Sequence, residues 1–370
     1  MVKCFITHRL LFWALLIGTV VAITIMPWGW QQLRAQQPVT DILHVYNWDT
    51  YIDPEVLTTF QEKYNVEIIY QTYGSNEELY SRIQSGNTNY DLIFPTDYMV
   101  EAMANEGLLA ELNLQHIPNL RHLDPAFLNP TYDPGNRYSL PYQWGTLGIG
   151  YNLEVIGQEI DSWTAMFTPQ YAGKIAWMDD TRYTIGAVLM FLGYDPNTQD
   201  MQQINQARDF LIQQKATIAA FAPDTGQELL NQGEVDLAFE WNGDMLQIMQ
   251  ENPDLRYTIP QEGSIIWIDN MAIPRGAPHQ RLAEQFINFL LEPRVSARIS
   301  NFVRYGSPNQ TARESELINP SDLNNPSIYP PLDMFARLKS LKDVGNSRFL
   351  YEQAWKAVKT KISELEQNIP

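Results

Sequence analysis

Cysteine is almost missing from this 370-residue chain. The one example, Cys4, precedes a long apolar run instead of following it, which places it poorly for a lipid anchor. Everything after that run can form no disulfide, no thiolate metal site and no cysteine nucleophile. Histidine is also sparse: His8, His44, His116, His122 and His279 stand far apart, with no metal-ligand spacing. Basic side chains number 25 against 43 acids, for a net charge of −18. Phosphate backbones need clustered Lys and Arg, so this balance argues against a nucleic-acid partner and an anionic membrane surface. It suits a cationic ligand, but net charge speaks to encounter more than to a site. There is no Walker A, GxGxxG or GxSxG motif, no internal repeat and no low-complexity tract. What is present is ample apolar material, 45% of residues, in a length sufficient for two globular domains with a sizeable core.

The N-terminus reads as a targeting segment. Lys3 and Arg9 precede an uncharged, mostly apolar run from Leu10 to Trp30, the pattern of an export signal. The run reaches bilayer-spanning length, so an uncleaved anchor is an alternative to a signal cut near Ala35. Removing residues 1–36 would delete three basic residues and no acid, moving the charge from −18 to −21.

From Asp41 onward, short apolar runs alternate with amphipathic stretches. Ile42–Tyr46, Val66–Tyr70 and Asp91–Phe94 predict strands; Asp53-Pro54 and Ser75 predict helix starts, by N-cap chemistry and by proline or acids in the first turn. A stretch rich in Asn, Pro and Asp at 113–143 interrupts the pattern, which resumes with the glycine-bearing run Gly145–Tyr151. Strands at Ile175–Met178, Val235–Trp241 and Ser264–Ile273 then alternate with helices near 181–193, 203–215, 243–251, 279–291, 293–302 and 347–365. The prediction is an α/β fold with largely parallel sheets and two lobes, and ligands of such folds bind beyond the carboxyl ends of strands.

Aromatics stand beside carboxylates at those strand ends. Trp48-Asp49-Thr50-Tyr51, Thr96-Asp97-Tyr98, Asp179-Asp180, Trp241-Asn242-Gly243-Asp244 and Trp267-Ile268-Asp269 each accompany a predicted strand. Carboxylates are charge-assisted acceptors for ammonium groups, and aromatic faces attract cations and stack on methylenes. One set of side chains thus serves both parts of a polyamine. Each residue alone is more often structural, the rings as core and an Asp such as Asp180 as a helix N-cap. Stacked sugars suit aromatics with Asp as well, and Asp179-Asp180 matches a carboxylate pair for hydrolysis, although no nucleophile–base constellation accompanies it.

At these same clusters the chain resembles a known family, the periplasmic spermidine/putrescine-binding proteins of polyamine ABC transporters. The segments that carry the resemblance are Val45-Tyr46-Asn47-Trp48, Tyr90-Asp91-Leu92-Ile93-Phe94-Pro95, Leu140-Pro141-Tyr142-Gln143-Trp144-Gly145, Trp241-Asn242-Gly243, and Trp267-Ile268-Asp269 leading to Ala272-Ile273-Pro274. The resemblance implies a two-lobed periplasmic-binding-protein fold, with residues 40–143 plus about 271–312 in one lobe and about 144–270 plus 313–370 in the other. It implies a polyamine in the cleft, delivery to a membrane permease, a monomer, no cofactor and no catalysis. The chain would then work in the periplasm, free or tethered by its N-terminal segment. Family ligand positions fall on Trp48, Tyr51, Thr96, Tyr98, Asp180, Trp241, Asp244, Trp267, Asp269 and Tyr305, with Asp244 like the putrescine-binding branch. Three departures stand out. Thr50 replaces an acid, with Asp49 beside it; Tyr183 stands where the family often has Glu; and no glutamine matches near Leu341. Asp49 and Tyr183 are therefore added to the candidate set. The same architecture with another small cation or a sugar is the alternative, and a secreted carboxylate-dependent hydrolase is a third reading.

Overall fold

The structure, a computed structural model, describes residues 41–86 and 89–366. The export-signal reading of 1–36 and Cys4 lie outside the described residues. The first half of the fold is set by local chemistry that the sequence shows. Strand β1 (Asp41–Trp48) leads to helix α1 (Pro54–Tyr64), capped by Asp53, whose carboxylate accepts from Glu55 N at 2.9 Å. Strand β2 (Val66–Tyr73) leads to α2 (Asn76–Gln84), capped by Ser75 accepting from Glu78 N at 3.1 Å. The short β3 (Leu92–Ile93) leads to α3 (Asp97–Asn105). Both β2 and β3 pair with β1 in parallel, as β-helix-β alternation dictates.

The expected pause at 113–143 holds three short 3-10 turns, but the next strand begins inside it. Strand β4 (Ser139–Asn152) is 14 residues long and buried along nearly its whole length. Asp133 sets its start, its carboxylate accepting from Ser139 N and Ser139 Oγ, each at 2.8 Å.

The second half contains β5 (Ile175–Met178), α4 (Thr181–Phe191), α5 (Met201–Gln213), β6 (Ile218–Ala222), α6 (Gly226–Gln232), β7 (Leu237–Trp241), α7 (Asn242–Ile248), β8 (Leu255–Thr258) and β9 (Ile265–Ala272). The sequence reading lacks β6, α6 and β8. They are short, and the run Ile218-Ala219-Ala220-Phe221-Ala222 shows no alternation of apolar and polar residues that would mark a half-buried strand. Helices α8 (Gln280–Leu290), α9 (Pro293–Val303) and α10 (Arg348–Glu366) complete the main elements.

The sheet order is β2-β1-β3-β9-β4-β7-β5-β6. Strands β5 and β6 and strands β5 and β7 run parallel, so each half keeps the predicted parallel character. The two halves meet through β4 and β9, which pair antiparallel from Ser139↔Ala272 to Thr146↔Ile266. Beyond Thr146, β4 changes partner and pairs with β7 and β8. One apolar core cluster draws residues from both halves, from Leu43 and Phe60 to Trp177 and Phe239.

The β4/β9 ladder places a glycine where the halves cross. Gly145 lies opposite Trp267, and a Cβ on it would sit 2.5 Å from Trp267 Cζ2 and closer still to Asn242 Oδ1. Asn242 cannot give way freely, because its Oδ1 accepts from Thr146 N at 3.0 Å and its Nδ2 donates to Ser327 O at 2.9 Å. Gly145→Ala is therefore expected to cost about 1–3 kcal/mol by overpacking. Equilibrium denaturation of the two proteins checks this; equal stability would contradict the close approach of β4, Trp267 and Asn242.

Candidate functional site

The strand ends of both halves converge on a partly enclosed cavity. Four carboxylates line it: Asp49, Asp224, Asp244 and Asp269. Six rings form its walls, Trp48, Tyr51, Tyr183, Trp241, Trp267 and Tyr305, and Thr96 adds a hydroxyl. No Lys, Arg or His is among these lining residues. The chain therefore gathers negative charge against aromatic faces without a cation to balance it.

Asp269 forms one pole. It is on β9, 5% exposed, and accepts from Thr96 Oγ1 at 2.7 Å. Thr96 precedes α3, and its hydroxyl accepts in turn from Asn76 Nδ2 at 3.0 Å, which fixes the direction in which it donates. The Tyr51 hydroxyl lies beside Asp269, and it is buried with no hydrogen-bond partner. Asp97 is also buried, and burial, with repulsion from Asp269, holds its carboxyl well above the ordinary range. Burial pushes the Asp269 carboxyl up to about 7, against the pull of the Thr96 hydroxyl bonded to it and the Tyr51 hydroxyl nearby.

Asp244, Asp224 and Asp49 form the other pole. Asp244 is in the first turn of α7 and accepts from Tyr305 Oη at 2.9 Å. Gly243 permits this, since a Cβ there would meet the Tyr305 ring. Asp224 follows β6 with a positive φ of 50° and lies beside the Trp241 side chain. Beneath them Glu240, 1% exposed, accepts from Trp241 N at 3.1 Å. Burial and then mutual repulsion with Asp244 push Glu240 up to about 8. Burial raises Asp244 to about 6, with Asp49 repulsion adding to it, and burial with Asp244, Glu240 and Asp49 repulsion holds Asp224 well above the carboxylate range.

Rings span the distance between the poles. Trp267 meets Trp241 edge-on at 5.6 Å and Tyr305 at 5.0 Å, and Tyr51 lies 6.4 Å from Trp267. Trp48 is held by its indole N–H, which donates to Phe94 O at 3.0 Å.

Of the residues singled out from sequence, Trp48, Asp49, Tyr51, Thr96, Tyr183, Trp241, Asp244, Trp267, Asp269 and Tyr305 come together at this cavity. Tyr98 and Asp180 are not among its lining residues. Asp180 caps α4, accepting from the N–H groups of Arg182 and Tyr183, each at 2.9 Å. Asp179 turns outward and holds α10, accepting from Trp355 Nε1 at 3.0 Å and from Lys359 Nζ at 2.9 Å. Asp224 is the lining residue absent from the sequence reading. It obeys the same rule as the others, an acid directly after a strand, but its strand was not recognisable.

The raised acids bind protons to higher pH in the folded chain than in the unfolded one. The stability they contribute is complete below the ordinary values of 3.8 to 4.5 and is lost as pH rises through the folded values, up to about 8 for Glu240. Melting of the ligand-free protein should thus move to lower temperature from pH 5 to pH 8, with a shallower slope in Asp269→Asn. A flat or rising profile would contradict the burial of these charges.

Residues 55–325 match the family model of the bacterial extracellular solute-binding proteins. The chain is 35% identical over 321 residues to a spermidine/putrescine-binding periplasmic protein of Salmonella typhimurium, covering 86% of this chain and 92% of that one. It is 32% identical over 320 residues to a putrescine-binding periplasmic protein of Escherichia coli strain K12, with 81% and 86% covered. A solved structure from Listeria monocytogenes, assigned to a spermidine/putrescine ABC transporter, superposes with a TM-score of 0.83 at 34% identity over 86% of this chain and 99% of that chain. The chain belongs to the bacterial extracellular solute-binding proteins, the non-enzymatic binding components of ABC transporters.

Proposed function

We propose that this protein captures a linear polyamine, putrescine or spermidine, between the two acidic poles of the cavity and delivers it to the membrane permease of an ABC importer. The observation that carries the reading is the four-carboxylate, six-ring cavity with no basic residue in its lining. A neutral sugar would leave those acids without a counter-charge. Two ammonium groups supply one at each pole, while the intervening methylenes lie against Trp267 and its neighbouring rings. The names of the relatives support the same ligand class. The reading includes a lobe boundary at the β4/β9 crossing, with 40–143 plus about 271–312 on one side and about 144–270 plus 313–370 on the other. Closure of the lobes over the ligand would bring Trp48 and Thr96 of the first lobe against Trp241 and Asp244 of the second. It also places the protein outside the cytoplasmic membrane, in the periplasm or tethered there by the N-terminal segment.

Asp269→Asn keeps size and hydrogen bonding but removes the charge. Its loss should weaken putrescine and spermidine binding by about 2–5 kcal/mol, the cost of leaving one member of a buried charged pair alone. Calorimetric titration, with melting curves to show an intact fold, checks this. Unchanged dissociation constants would remove Asp269 from the site, and binding of sugars but of neither amine would overturn the ligand class.

A further inference from the structure

We propose that Tyr183 is the end stop of the cavity, a specificity-determining residue that makes Asp269 the seat of a terminal ammonium and keeps Asp180 out of the binding site. The inference rests on the polyamine reading above. Tyr183 is 1% exposed and lines the cavity on the α4 side. Its ring is fixed by edge contacts with Trp241 at 4.8 Å and with Tyr98 at 6.1 Å. Asp180, three residues earlier, is absent from the cavity lining and accepts from the backbone N–H of Tyr183 itself at 2.9 Å.

Asp180 already has a cation beside it, Arg182. Arg182 is 2% exposed, with its guanidinium 5.5 Å from the Tyr98 ring and 4.6 Å from the Tyr351 ring. It donates to Lys342 O at 3.1 Å and to Asn197 Oδ1 at 3.2 Å, so it is anchored in place. Its charge offsets that of Asp180 and Glu77. Asp269 has no such cation and is reached from the cavity. The two neighbouring acids thus play different parts: Asp269 faces the ligand, and Asp180 caps a helix beside an arginine. A chain of methylenes running along Trp267 to an ammonium at Asp269 meets the Tyr183 ring next. Room for a longer chain lies at the opposite pole, where Asp49 and Asp224 also border a second groove that contains Glu78 and Glu228.

Opening the wall should change this division. Behind it, the Tyr98 hydroxyl is buried without a partner and can accept from an ammonium, as can Asp180. The test is titration of putrescine and spermidine into wild type, Asp180→Asn, Tyr183→Phe, Tyr183→Ala and the double variant Asp180→Asn/Tyr183→Ala, each with a melting curve. Asn caps helices as well as Asp does, so Asp180→Asn in the wild-type background should leave both affinities within about twofold. Tyr183→Phe keeps the wall and should keep the wild-type ratio of the two affinities. Tyr183→Ala should raise the spermidine-to-putrescine ratio by about tenfold or more, through a new ammonium–carboxylate pair, and the double variant should lose that gain. A general loss of stability would lower both affinities without changing their ratio. The proposal is overturned by a folded Asp180→Asn protein that loses about tenfold or more for either amine, or by a folded Tyr183→Ala protein with an unchanged ratio. If Tyr183→Ala does not fold, the Asp180→Asn result decides. Absence of amine binding in the wild type would sink the polyamine reading itself.

Discussion

Uncompensated negative charge, walled in by aromatic rings, is the constraint on which the rest of this structure depends. Burying a carboxylate without a partner is costly, and folded proteins ordinarily avoid it by pairing the charge or keeping the proton. Here Asp269 and Asp244 are satisfied only by hydroxyls, from Thr96 and Tyr305, while Asp224 and Glu240 repel each other and Asp244. In the free protein this tension is relieved by retained protons. In the proposed complex a polycation would relieve it by pairing, so the ligand would supply what the fold withholds. Two acids outside the cavity do have cations: Asp180 has Arg182 beside it, and the half-buried Asp179 has Lys359.

The two long strands give that charge its geometry. Strand β9 carries Trp267 and Asp269 on one continuous segment, and β4 runs beside it before leaving to pair with β7, which ends at Trp241. Gly145 allows the indole of Trp267 and the amide of Asn242 to occupy the crossing together. Asn242 opens α7, and Asp244 follows two residues later. A small number of backbone positions therefore places both walls and both poles, which accounts for the clustering of site residues near strand ends in the sequence.

Much of this was legible in the sequence because it is locally encoded. Asp53-Pro54 and Ser75 cap the helices that they mark, and the clusters of rings with acids after strands hold eight of the eleven lining residues, while Tyr183 and Tyr305 entered only through the family resemblance. Asp224 escaped because Ile218–Ala222 has no alternating pattern and the helix after it is only seven residues long. Asp180 shows the opposite limit. An acid before a helix is the same local signal whether it caps the helix or faces a ligand, and only the position of Tyr183 and Arg182 in space separates the two. The course of β4 through both halves was likewise invisible, since a change of pairing partner within one strand leaves no mark in that strand's own pattern.

The central claim is that buried, partly protonated carboxylates become ionised when an amine binds. Its most direct test is calorimetric titration of putrescine near pH 6.5 in buffers of different ionisation enthalpy, which counts protons exchanged on binding. The raised values of about 6 to 8 for Asp244, Asp269 and Glu240 predict a net release of protons to the buffer, because a bound cation lowers each acid's pKa. Binding heats that do not depend on the buffer, or a net uptake of protons, would contradict the account.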